Sequence, residues 1–436
     1  MARLILPIVS AMGYYLFAYQ LPRSNFIGLI SLYCVLFLGF WFLIKAFPKG
    51  PNPLFALGIL FRVLLIGAVP NLSQDFYRFI WDGRLLLQGY NPYLHLPDEL
   101  IHTGGFLMPE AQMLHEGMGT LSAGHYSNYP PINQFFFALA ALFAGKSIMG
   151  SVMVFKIIII GADVGAYFLG KKILKHFNLP EINLFYYFLN PLVILELSGN
   201  LHFEGVMIFF LMLSFYWMVK QKESLSAISM AFSIAIKLVP LMLLPIMWHC
   251  FSREKIIRFY ALIGITLMLL FLPFFSGAFL LNYANTIALW FVNFEFNASI
   301  YYLLRGLGYI LTGHNLIPVI GRITPLVMVW MIFRYAQSKD NRSLEVVFKN
   351  MLLVLSLYFF LSTTVHPWYV ITPLVLSIFT PFRFVLIWSL SVILSYSAYS
   401  NVAFKENYWL LGVEYGAVFW AFYWELAKNE PRFGIK

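Results

Sequence analysis

Apolar tracts close to membrane-spanning length recur from one end of this 436-residue chain to the other. A helix needs about 20 apolar residues to cross a bilayer. In lipid, every backbone N–H and C=O must find its partner inside the protein, so only helices and closed barrels can span. Barrel strands alternate apolar and polar residues over short segments, and tracts such as 151–169 and 257–273 do not alternate. The expectation is therefore an all-α polytopic membrane protein. Charged residues make up 11% of the chain, against about 25% in a soluble domain, and the mean hydropathy is +0.77. The apolar tracts fall at 4–18, 26–44, 54–70, 151–169, 184–198, 203–219, 225–238, 240–251, 257–273, 317–334, 346–363, 369–380, 384–399 and 408–426. They predict a bundle of about 13–14 transmembrane helices in a single domain, 1–436. The tract behind Arg3 has a signal-peptide-like core, but more spans follow at once, and it is read as an uncleaved first helix. Pro240 and Pro245 break one stretch in two, as in the interrupted helices around polar cavities.

Two long stretches, 71–150 and 274–316, interrupt the pattern and are expected to be external loops. With the N-terminus in the cytoplasm, Lys45, Lys49, Lys171, Lys172, Lys175, Lys220, Lys222, Arg253, Lys255, Arg258, Arg334, Lys339, Arg342, Arg383, Lys428, Arg432 and Lys436 all fall inside. Arg23, Arg78, Arg84, Arg305 and Lys405 are the main basic residues left on the other side. This is the asymmetry of the positive-inside rule. It requires that the run Phe135–Phe143 be a juxtamembrane or re-entrant helix. The net charge of +10 is thus a topology signal, and no nucleic-acid partner is implied. Cys34 and Cys250 lie in different tracts and suggest neither a disulfide nor a metal site.

The first loop opens with Ser73-Gln74-Asp75-Phe76-Tyr77-Arg78-Phe79-Ile80-Trp81-Asp82-Gly83-Arg84, then Gly89-Tyr90-Asn91-Pro92-Tyr93. Two carboxylates and two guanidiniums stand there without any reason from hydrophobic matching. If the patch is helical, Asp75, Arg78 and Asp82 share one face. That face could hold a phosphate and offer a carboxylate to a hydroxyl; its plain alternative is a solvated helix with local ion pairs. Further polar groups sit at expected external turns: Glu196 with Asn200, His202 and Glu204; Lys237; Trp290 to Asn297 with Ser299; and His366 with Trp368 and Tyr369. Singly these read as belt, capping or snorkelling residues. Their shared side, opposite the basic clusters, points to a site.

The stretch Asp75-x-Tyr77-Arg78-x-x-Trp81-Asp82-Gly83-Arg84 with Gly89-x-Asn91-Pro92-Tyr93 resembles the first external loop of GT-C-fold glycosyltransferases. The resemblance is nearest to the bacterial polyprenyl-phosphate-mannose-dependent mannosyltransferases, with a distant similarity to the eukaryotic GPI mannosyltransferase. Tyr129-Pro130-Pro131-x-x-Gln134 resembles the element closing that loop. Asn190-Pro191-Leu192 through Gly199-Asn200-x-His202-x-Glu204 resembles an Asn-Pro…Gly-Asn-x-His-x-Asp turn, with Glu in place of Asp. Ala235-Ile236-Lys237-Leu238-x-Pro240 and His366-Pro367-Trp368-Tyr369 resemble the Lys-x-x-Pro and His-Pro-Trp-Tyr elements. Five motifs in one order span residues about 54–380. The chain departs from the family in having no Asp-x-Asp pair.

The resemblance implies a GT-C-like bundle and an inverting hexosyl transfer, with mannose expected, from a polyprenyl-phosphate sugar donor to a lipid- or glycan-linked acceptor. The setting would be the periplasmic face of a bacterial inner membrane. A carboxylate must take the acceptor proton, which makes Asp75 the expected base and Asp82 the second catalytic candidate. The leaving phosphate needs cations, for which Arg78, Arg84 and Lys237 are the candidates. Tyr77, Trp81, Asn91, Tyr129, Asn200, His202, Glu204, His366 and Trp368 are the expected sugar and acceptor contacts. No cofactor is expected, and a divalent metal is not favoured. The rival reading is a transporter or flippase of lipid-linked saccharides, which inverted repeats and midplane binding residues would favour; no repeat is visible.

Overall fold

A computed structural model describes residues 2–48, 50–103, 105–292, 294–401 and 403–429. Among them the secondary structure is helical, apart from one isolated bridge between Phe296 and Thr364. Lys49, Asn293, Arg432, Lys436 and the side chain of Trp290, all used in the sequence reading, lie outside the described residues.

All fourteen apolar tracts are wholly or partly helical, so the polytopic all-α architecture holds. Among the described residues, five helices are by themselves long and apolar enough to cross: Phe26–Ala46, Ile148–His176, Arg253–Phe274, Ile317–Ala336 and Leu344–Leu361. Tyr408–Asn429 is long enough, at 22 residues, but less apolar, and most of the others are shorter or interrupted. Glu181–Phe188 and Pro191–Gly199 form a pair bent by 47°. Glu204–Val219 has 16 residues and Glu223–Ile234 has 12. Val239–His249 is a 3-10 helix of 11 residues, whose steeper rise of about 2.0 Å per residue gives it about 22 Å of length. Apolar length along the chain therefore overstates α-helical length, because Asn-Pro and Pro pairs restart the backbone.

The helix starts have identifiable causes. Asn25 and Ser147 cap their helices by accepting from Gly28 N at 3.0 Å and Gly150 N at 2.9 Å, each worth about 1 kcal/mol. Asn190 caps the restart at Pro191, accepting from Leu192 N at 3.0 Å, and donates across the bundle to Ser389 Oγ at 2.9 Å. Proline at the first helical position loses no hydrogen bond. The restarted segment then widens into a π-helix, Ile194–Gly199, a form often found at functional sites.

The first loop is largely helical, in Asp75–Leu87, Ala111–Ala123 and Pro131–Ala144. The run 135–143 belongs to the last of these, which has 14 residues and packs on Asp75–Leu87 and Ile148–His176. Gly83 makes the first of those contacts possible. A Cβ there would stand 2.1 Å from the carbonyl oxygen of Phe137, so the two backbones meet where no other side chain fits.

Buried charges hold the bundle where the sequence reading saw only apolar spans. Arg62 and Asp163 are both fully buried and paired at 2.5 Å, and Tyr187 OH donates to the other Asp163 oxygen at 2.6 Å. Lys156 donates to the carbonyls of Leu65 and Ala68, each at 2.5 Å. These charges have partners, as charges within a membrane must.

Candidate functional site

The helix Asp75–Leu87 carries the first motif, and its charges divide into two groups. Arg78 and Asp82 are buried and pair with each other, Nε to Oδ1, at 2.7 Å. Arg78 also donates to the carbonyls of Ser122 at 2.5 Å and His125 at 3.0 Å. The second oxygen of Asp82 accepts from Ser127 Oγ at 2.6 Å and Gln134 Nε2 at 3.2 Å. Arg84 donates to the carbonyls of Pro109 at 2.5 Å and Lys146 at 2.8 Å, and to Glu110 at 3.2 Å. Asp82, Arg78 and Arg84, expected at the chemistry, are thus placed as ties that fold the loop onto the helix.

Trp81 is also a core residue. It is fully buried, with its ring against Phe106 and His115. Asn91 shapes a turn, accepting from Tyr93 N at 3.0 Å and donating to the Phe274 carbonyl at 3.3 Å. The ring of Tyr77 lies where a side chain on Gly117 would stand. Tyr129 packs edge-on against Phe79 and Phe137, and its carbonyl accepts from Tyr93 OH at 2.6 Å.

Asp75 is set apart from this network. It opens the helix, where the helix dipole favours an anion, and it is half-buried, not an exposed loop residue. The charges acting on it come from other elements: Lys237 and Arg23 favour its ionisation, and Glu204 opposes it. Burial is the largest influence and lifts its carboxyl from 3.8 to about 6.

The remaining motifs converge here. Asn200 accepts from the backbone N–H of Asn71 at 3.2 Å and Leu72 at 2.8 Å, and donates to the Leu195 carbonyl at 2.9 Å. It therefore clamps the approach to Asp75 onto the π-helical turn. Leu201, the next residue, is left-handed at φ 65, a conformation costing about 1–3 kcal/mol and concentrated at functional sites. It turns the chain back so that His202 N donates to the Glu196 carbonyl at 3.2 Å. Lys237 lies in the irregular segment between Glu223–Ile234 and Val239–His249, ion-paired with Glu204 and 5.5 Å above the Tyr369 ring. The second motif holds that segment, through Ile132 N to the Ala235 carbonyl at 3.1 Å and Asn133 Nδ2 to the Ile236 carbonyl at 2.6 Å.

Trp368 is sandwiched between the two histidines. Its ring stacks on His202 at 3.7 Å and on His366 at 4.4 Å. Burial and the nearby Lys237 hold both imidazoles below their usual range, His366 to about 3, so both are neutral at pH 7. Four buried polar atoms in this cluster have no hydrogen-bond partner among the described residues: Glu196 Oε2, His202 Nε2, Glu204 Oε2 and His366 Nδ1. The first two face each other at 3.4 Å, too long for a good bond. Buried polar atoms are nearly always satisfied, so a cluster of four fits a polar, multiply hydroxylated ligand.

Of the expected site residues, Asp75, Lys237, Asn200, His202, Glu204, His366 and Trp368 come together in this cluster. The sequence reading gave no role to Arg23. Its guanidinium donates to Gln74 Oε1 at 3.2 Å and lies 4.6 Å over the Tyr399 ring. The one signal for it was an isolated cation on the side poor in Lys and Arg. Glu196 was noted only as part of a turn; it accepts from Tyr396 OH at 2.7 Å.

Comparison with known proteins gives this arrangement its context. The chain is 24% identical over 189 residues to the alpha-(1->6)-mannopyranosyltransferase A of Corynebacterium glutamicum, a match covering 43% of this chain and 36% of that relative. The chain thus aligns with about a third of that protein's length. The model of the alpha-(1->6)-mannopyranosyltransferase N-terminal domain matches residues 15–253, more than half of the chain and four of the five motifs, and the protein belongs to that family.

Proposed function

We propose that this protein is a membrane mannosyltransferase that moves mannose from a polyprenyl-phosphate donor to a hydroxyl of a lipid- or glycan-linked acceptor. The transfer inverts the anomeric centre and takes place on the periplasmic face of a bacterial inner membrane. The observation that carries the proposal is the meeting of Asp75, Lys237 and Glu204, from three separate motifs, beside the stacked His202, Trp368 and His366.

In this reading the acceptor oxygen attacks the anomeric carbon from the side opposite the phosphate. Asp75 takes the hydroxyl proton. The bond from carbon to phosphate oxygen breaks, and its electron pair stays on the polyprenyl phosphate, which gains one negative charge. Lys237 and Arg23 are the cations placed to stabilise that charge. A carboxyl at about 6 suits a base that must be ionised near neutrality yet still attract a proton. The orphaned oxygens and nitrogens of Glu196, His202, Glu204 and His366 offer partners to sugar hydroxyls. No step requires a metal: both oxygens of Asp82 are already engaged, so it does not pair with Asp75 as a chelate. Family membership and a one-sided polar cluster argue against the flippase alternative.

The test is transfer in proteoliposomes containing the purified chain, polyprenyl-phosphate mannose labelled in the sugar, and an α-mannoside acceptor. A labelled, elongated acceptor is expected. If neither this donor nor another polyprenyl-phosphate hexose yields product, the proposal is wrong.

A further inference from the structure

A polar cavity of about 310 Å³ lies apart from the cluster around Asp75, among Glu295, Tyr302, Arg305, Lys405, Glu406 and Tyr408. That volume is at the lower end of small-molecule sites. Its walls are built. Arg305 pairs with Glu295, donates to Tyr408 OH at 3.1 Å and lies 4.3 Å over the Tyr302 ring. Glu295 is held further by Tyr301 OH at 2.5 Å and Asn315 Nδ2 at 2.8 Å. Tyr302 OH donates to Glu406, whose other oxygen accepts from Asn297 N at 2.5 Å. Phe404, also in the wall, is left-handed at φ 49, a conformation rare for an aromatic residue.

Two features identify the occupant. The first is charge. Two carboxylates face two cations, so the cavity is near neutral and does not favour a phosphate. Tyrosine rings with hydroxyl tips, beside guanidinium and carboxylate, suit the mixed apolar faces and hydroxyl edges of a sugar ring. The second is position. The helix Ile300–Thr312 exposes Leu303, Leu307, Ile310 and Leu311 on one face, at the spacing of a helix lying in a membrane surface. Tyr302 and Arg305 from the same helix line the cavity, which places it at the level of the lipid headgroups. The rings of Phe404, Phe296, His366, Trp368 and His202 then form a continuous series, with successive centroids 5.7, 5.1, 4.4 and 3.7 Å apart. It leads from this cavity to the cluster around Asp75.

We propose that this cavity binds a neutral saccharide unit of the acceptor, one or more sugars removed from the unit that receives the new residue. The inference rests on the glycosyl-transfer reading above.

The test uses the full chain in nanodiscs with a linear α-1,6-linked mannotriose as probe. Binding is read by saturation-transfer NMR, and transfer kinetics are measured on the same preparations. The expectation is that wild type and Asp75→Asn both bind the trisaccharide, that Lys405→Ala and Tyr408→Ala each weaken binding about tenfold or more, and that inorganic phosphate does not compete. The same two variants raise KM for the acceptor while leaving kcat and the donor KM unchanged. Lys405 is exposed, and among the described residues its ammonium carries no ion pair or hydrogen bond, so Lys405→Ala keeps the test open if Tyr408→Ala fails to fold. Undiminished binding in folded Lys405→Ala, or displacement of the trisaccharide by phosphate, overturns the proposal. If wild type binds the trisaccharide through Lys405 and Tyr408 but transfers no sugar, the transferase reading fails and the saccharide site stands.

Discussion

Replacing each aspartate of the first motif by asparagine separates chemistry from folding. Asp82 is buried and neutralises Arg78, while its second oxygen accepts from Ser127 and Gln134. Asp82→Asn leaves the Arg78 guanidinium buried without its counter-ion. Removing one partner of a buried pair costs about 3–5 kcal/mol, and the disturbed bonds to Ser127 and Gln134 add to that. Asp75 behaves in the opposite way. Its folded carboxyl sits at about 6 against an ordinary 3.8, so at neutral pH the folded state bears the cost of ionising it. The upper bound on that cost is about 3 kcal/mol. Asp75→Asn is therefore neutral to slightly stabilising, yet it removes a base worth about 10²–10⁴ in rate. Thermal unfolding of the detergent-solubilised variants, read beside transfer from polyprenyl-phosphate mannose, checks both limbs. The expected outcome is a clear fall in Tm for Asp82→Asn, and unchanged or raised Tm with lost turnover for Asp75→Asn. An Asp82→Asn protein with wild-type Tm and no activity, beside an active Asp75→Asn, would refute the assignment.

Three further outcomes follow from the same geometry. Turnover rises with pH through about 6 and levels off above it as Asp75 ionises; the contribution of this group to folding stability has the opposite sense, being full below 3.8 and lost as pH rises through about 6, so a rate that falls across this window contradicts Asp75 as base. Gly83→Ala drives a methyl group to 2.1 Å from the Phe137 carbonyl and costs at least about 1–3 kcal/mol by forcing two backbones apart, seen as a fall in Tm and expression, whereas Gly161→Ala, with open space around its Cβ position, is the silent control. In a background lacking Cys34 and Cys250, the exposed positions Thr103→Cys and Lys222→Cys label from opposite sides of the membrane, and labelling of both from one side removes the topology.

Much of this protein is legible in one dimension, because the signals concerned are local. Tracts of about 20 apolar residues require helices in lipid whatever surrounds them, so the polytopic all-α class follows from hydropathy alone. The breaks at Asn190-Pro191 and around Pro240 follow from backbone chemistry that proline imposes on its own neighbours. The i,i+4 spacing of Arg78 and Asp82 already allowed the ion pair that forms. What no local signal could decide is which charges are consumed and which remain available. Arg84 looked as free as Lys237, but its partners are the carbonyls of Pro109 and Lys146, 25 and 62 residues away. Arg23 gained its place from Tyr399 and Asp75, and the two histidines from a tryptophan brought between them. The cost of burying a polar group is set by whatever lies within hydrogen-bond distance of it. In a bundle of interrupted helices those neighbours come from remote parts of the chain, so the site exists only once the helices have packed.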